Sequence, residues 1–90
     1  MNLFEEFPAW ATAHGVDPAS FTLGGERNET YCLLELGNGD WEVFYSERGH
    51  RRSARIFASD RAAFVFLKQL LLHDPTTRTS FRAEHRWPGC

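Results

Sequence analysis

Two glycine-bearing turn signals, Gly37-Asn38-Gly39-Asp40 and Glu47-Arg48-Gly49-His50, bracket the segment Trp41–Ser46. Asn-Gly takes the positive φ angles that tight hairpins need. Thr30–Leu36, rich in Tyr, Cys and Leu, is therefore expected to pair with Trp41–Ser46. The second turn sends the chain into Arg51–Phe57, a third strand. Together these segments predict a three-stranded antiparallel meander.

The flanks read as helices. Residues 2–14 place Leu3, Phe7, Trp10, Ala11 and His14 on one helical stripe, with Asn2 as the cap and Glu5 and Glu6 at the positive end. Pro8 lacks an N–H, so either this helix starts near Phe7 or its first turn is distorted. Gly15 stops it. Asp17-Pro18 favours a turn, Phe21-Thr22-Leu23 reads as a short edge strand, and Glu26–Glu29 is a polar loop. Ser59 or Asp60 caps a second helix that runs to about His73. Its buried stripe is Ala63, Phe66, Leu67, Leu70 and Leu71, with Phe64 beside it. Asp74-Pro75 ends it. Ninety residues make one domain. The expected fold is α+β: an N-terminal helix, a three- to four-stranded antiparallel meander and a C-terminal helix packed on one sheet face. It spans residues 1–75. Residues 76–90 form a tail that either covers the sheet through Phe81 or Trp87 or stays unstructured.

Strand residues alternate between faces. Cys32, Leu34 and Leu36 with Trp41, Val43 and Tyr45 carry no charge and are expected to face the helices. Tyr31, Leu33 and Glu35 with Glu42, Phe44 and Ser46 form the other face. Aromatics beside charges suit a protein-binding surface, so Tyr31, Leu33, Glu35, Glu42 and Phe44 are candidate partner contacts. One slip of register exchanges the faces.

Charge is divided along the chain. Residues 1–47 hold nine acids against Arg27 alone, and residues 48–90 hold nine bases against three acids. That asymmetry suits the steering of a charged partner, unless the two halves interleave in space. Arg48, Arg51, Arg52 and Arg55 are the one basic cluster and support an alternative reading, a small nucleic-acid-binding regulator. Glu35 and Glu42 on the candidate face argue against it. No segment is apolar enough for a membrane span, and the start lacks the pattern of a secretory signal, which points to the cytoplasm. Cys32 sits in an apolar run and Cys90 is the last residue, a pattern that builds no disulfide framework. His14, His50, His73 and His85 have no metal-ligand spacing. No nucleophile elbow or phosphate loop is present. These features predict no catalytic residues, metal or cofactor.

Trp41-Glu42-Val43-Phe44-Tyr45-Ser46-Glu47-Arg48-Gly49, followed by Phe57-Ala58-Ser59 and an Ala/Leu-rich helix, resembles a group of small bacterial proteins. These are immunity proteins of secreted polymorphic or contact-dependent toxin systems. Gly15-Val16-Asp17-Pro18 and Gly24-Gly25 fit the same pattern, which covers roughly residues 3–73. Pro8 and the chain after Pro75 depart from it. The resemblance implies a protein that binds its cognate toxin, commonly a nuclease or another enzyme, and blocks it without catalysis. Glu47 and Arg48 then either touch the toxin or hold the hairpin end, with Gly49 supplying an unusual backbone angle.

Overall fold

The computed structural model describes residues 3–79. Asn2 as a cap, Phe81 and Trp87 as a sheet cover, and Cys90 lie outside the described residues. Helix α1 is Leu3–Ala13, and strands β1 to β4 are Phe21–Leu23, Thr30–Glu35, Trp41–Glu47 and His50–Phe57. Helix α2 is Asp60–His73, and two 3₁₀ turns, Pro18–Ser20 and Pro75–Thr77, complete the elements. The chain is α+β, with both helices on one face of a four-stranded sheet in the order β1-β2-β3-β4.

Pro8 lies inside α1, which runs through it instead of starting at Phe7. Its missing N–H removes one bond, the one that would close on the Phe4 carbonyl. Packing on both sides of the proline outweighs that loss. Phe4 meets Trp41 and Phe64 at ring-centroid distances of 5.7 and 5.3 Å. Phe7 meets Phe21 and Phe64 at 4.8 and 5.5 Å. Gly15, at φ 70°, closes the helix, and the Val16 N–H returns to the Ala11 carbonyl at 2.8 Å. That bond is the long-range half of a Schellman motif.

Ser59 caps α2 by accepting the Ala62 N–H at 3.1 Å. Ala63, Phe64, Leu67 and Leu71 of this helix are buried, and Phe66 and Leu70 are partly so. They close on Phe7, Ala11, Val16, Phe21, Leu33 and Val43 to make the core.

The sheet is mixed. β2, β3 and β4 form the expected antiparallel meander, but β1 runs parallel to β2, with Phe21 beside Tyr31 and Leu23 beside Leu33. A six-residue loop normally makes a hairpin, since parallel neighbours need a longer crossover. Here the strands overlap over only three residues, so Gly24–Glu29 suffices to carry the chain back. The two hairpin turns also differ from each other. Between β2 and β3, Gly37 and Gly39 take positive φ, and the Asn38 side chain accepts the Asp40 N–H at 3.0 Å. Between β3 and β4, Arg48 and Gly49 take φ of 51° and 81° and Glu47 pairs with His50, a two-residue type I′ turn.

Leu67 is fully buried and Val65 of the same helix is 49% exposed. Leu67→Ala is expected to lower the unfolding free energy by about 2–5 kcal/mol. Val65→Ala is expected to change it by less than about 0.5 kcal/mol. Urea denaturation of the two variants checks both.

Candidate protein-interaction surface

Residues opposite one another across an antiparallel pair share a face. Tyr31 lies opposite Tyr45, Cys32 opposite Phe44, Leu33 opposite Val43 and Glu35 opposite Trp41. The expected faces of β3 hold, but those of β2 are exchanged. Tyr31, Leu33 and Glu35 lie on the helix side, and Cys32 and Leu34 lie on the other side with Glu42, Phe44 and Ser46. The charge of Glu35 argues for the opposite choice. Glu35 is tolerated on the helix side because it ends the strand and is exposed. Tyr31 is tolerated because its hydroxyl finds a partner at the rim.

The side away from the helices is not open at its centre. Cys32 and Phe44 are fully buried, and Thr30 and Ser46 nearly so. The loop 24–29 covers them. Thr30 Oγ1 donates to the Arg27 carbonyl at 2.7 Å, and Ser46 Oγ donates to Glu26 Oε2 at 3.1 Å. The Glu29 N–H reaches the Ser46 carbonyl at 2.7 Å. Arg51 completes the cover. Its guanidinium lies 4.3 Å from the Phe44 ring centre and pairs with Glu42 at 2.6 Å and Glu26 at 3.2 Å. Leu33 and Phe44 are therefore core residues, and Glu42 is a buttress for Arg51. None of the three is available to a partner in this conformation.

The basic cluster is largely engaged within the chain. Arg51 is paired as above, Arg52 pairs with Glu47, and Arg55 lies 5.5 Å from the Phe66 ring centre. These pairs link the acidic and basic halves of the chain and cancel part of the asymmetry. Arg48 stays exposed at the turn, its backbone N–H held by Asn28 Oδ1 at 2.7 Å. Cys32 is a free, buried thiol.

The structure also brings together residues that the sequence had shown only as turns. Asp17 and Asp74 each cap a 3₁₀ turn that begins with proline, accepting the Ala19 N–H at 2.9 Å and the Thr76 N–H at 3.0 Å. The two turns lie side by side. The Asp17 N–H reaches the Thr77 carbonyl at 2.6 Å, and Val16 bridges to Arg78. Between them and the end of the sheet is a cavity of about 150 Å³. Asp17, Glu29, Tyr31, Tyr45 and Asp74 are among its walls. Tyr31 donates to Asp74 Oδ2 at 2.8 Å, and its ring meets Tyr45 at 4.8 Å and 60°. The recurrence of Asp-Pro at 17–18 and 74–75 is the one signal in the sequence that could have found this site.

Burial and the Asp74 carboxylate raise the Tyr31 hydroxyl well above its ordinary value. Tyr45 is raised by burial, then by the charges of Glu29, Glu47 and Asp74, against an opposing effect of Arg52. Burial pushes Asp74 up, but hydrogen bonds from the Thr76 hydroxyl, the Tyr31 hydroxyl and the Thr76 amide together hold it below its usual value. Asp17, Glu29 and Asp74 enter no ion pair among the described residues. Comparison with known proteins returns no matching family model, curated protein or solved structure.

Two variants probe this end of the molecule. Tyr31 holds its proton more tightly folded than unfolded. Its contribution is therefore full below about pH 10 and is lost as pH rises through the higher folded value. Tyr31→Phe is expected to cost about 1 kcal/mol at pH 7 and to flatten the alkaline loss. Urea denaturation at neutral and alkaline pH reads both effects. Arg48 occupies a left-handed conformation that asparagine takes more easily. Arg48→Asn is expected to raise stability by up to about 1 kcal/mol, measured by thermal unfolding.

Proposed function

We propose that the protein is an immunity protein that binds a cognate bacterial toxin, a nuclease or another toxic enzyme, in the cytoplasm and neutralises it by protein–protein contact. The motif Trp41–Gly49 suggests this class. The observation that carries it to a surface is the position of Tyr45, a motif residue that lines one cavity with Asp17, Glu29 and Asp74, carboxylates that no cation of the described residues pairs with. Tyrosines next to unpaired charge suit an interface anchor. A negative patch also speeds association with a basic enzyme such as a nuclease.

The burial of Leu33 and Phe44 moves the proposed contact from the covered side of the sheet to its end, where Tyr45, Glu47, Arg48 and Glu29 are accessible. Tyr31 contributes there through its bond to Asp74. The nucleic-acid alternative gains nothing from Arg51 and Arg52, whose charges are already matched by Glu26, Glu42 and Glu47.

Co-expression with the product of the adjacent upstream gene tests the proposal. The expected result is a complex that co-purifies and restored growth of cells making the toxin. Neither complex nor rescue would remove the immunity reading.

A further inference from the structure

We propose that the cavity between the two Asp-Pro turns and the Tyr31–Tyr45 pair receives the end of an arginine or lysine side chain from a basic protein partner. The inference deepens the immunity reading and rests on it for the partner's identity.

Size, charge and shape each support such an occupant. A volume of about 150 Å³ is below the roughly 300–1,000 Å³ of small-molecule sites. It suits the end of one side chain. Asp17, Glu29 and Asp74 line it, and the nearby arginines of the described residues bond to groups other than these carboxylates. Arg27 donates to the Ala19 and Phe21 carbonyls, Arg52 pairs with Glu47, and Arg78 donates to the Leu72 carbonyl. Burial raises the Tyr45 hydroxyl, and the charges of Glu29, Glu47 and Asp74 add to this against the opposing charge of Arg52.

The two tyrosine rings meet at 60° and form an angled aromatic wall. Such a wall attracts a flat or compact cation through the negative faces of the rings. Tyr31 and Thr76 fix the Asp74 carboxylate in place. Asp17 uses one oxygen for the Ala19 N–H, and no side-chain hydrogen bond is seen for Glu29 among the described residues. Acceptors thus remain for the N–H groups of a guanidinium or ammonium.

The test uses N-acetyl-arginine N-methylamide as the cationic probe and its neutral citrulline analogue as control. Ring signals of Tyr31 and Tyr45 are followed by NMR. The expected result is saturable shifts with the arginine probe, with a dissociation constant on the order of 10 mM, and none with citrulline. Glu29→Gln, at an exposed position, is expected to weaken binding about threefold or more. Tyr45→Leu is expected to abolish it, with thermal unfolding confirming that each variant is folded. Lack of saturation, equal shifts with citrulline, or undiminished affinity in Glu29→Gln would overturn the proposal. The assay contains no toxin, so its outcome stands apart from growth rescue. A pocket that fails the arginine test is overturned even where rescue succeeds.

Discussion

The pairing of Tyr31 with Tyr45 and of Cys32 with Phe44 is the constraint on which the rest of the structure depends. A slip of one residue would send Tyr31 and Leu33 to the far side of the sheet and bring Cys32 and Leu34 against the helices. The core would lose Leu33, and Asp74 would lose the Tyr31 hydroxyl. The short crossover from β1 holds the register. The Gly24 N–H reaches the Leu33 carbonyl at 2.8 Å at one end, and the Glu29 N–H reaches Ser46 at the other. Between them, Glu26 ties the loop to Ser46 and Arg51. Exposed ion pairs of this kind contribute roughly 0–1 kcal/mol each. Their larger effect is to hold a cover over Phe44, whose burial is worth about 2–3 kcal/mol.

This cover explains which parts of the fold were legible in the sequence. The helices were, because Gly15, Ser59 and the apolar stripes act locally. So were the strands, since glycines punctuate both hairpins. The inward side of β2 was not. Alternation identifies a face only when one side is wet, and Cys32 and Leu33 are both fully buried. The absence of charge then favoured the wrong set, because Glu35 escapes at the strand end. The direction of β1 was hidden for a similar reason. A six-residue loop reads as a hairpin unless the strand it serves is only three residues long. The acidic cavity was the least legible feature. Each Asp-Pro reads as a turn, but their contact joins segments far apart in the chain, and no local pattern records it.

The Trp41–Gly49 motif also looks different once folded. Trp41 and Val43 serve the core, and Phe44 and Ser46 lie beneath the loop. Gly49 supplies the backbone angle of the turn. Tyr45, Glu47 and Arg48 remain for the surface. Much of what makes the segment distinctive is thus needed to build the sheet. The part left at the surface is concentrated at one end, beside Glu29 and the two Asp-Pro turns. The charge division of the chain follows the same split. Where the halves meet on β3 and β4, acids and arginines pair. At the Asp-Pro end Asp17, Glu29 and Asp74 enter no ion pair among the described residues.

The strand register is the claim on which the cover, the core and the acidic cavity all stand. A two-dimensional NOE spectrum of the full chain tests it most directly. The account predicts cross-peaks between the Tyr31 and Tyr45 rings and between Cys32 Hβ and the Phe44 ring. Contacts of Cys32 with the Tyr45 ring and of Leu33 with the Phe44 ring, in place of these, would contradict it.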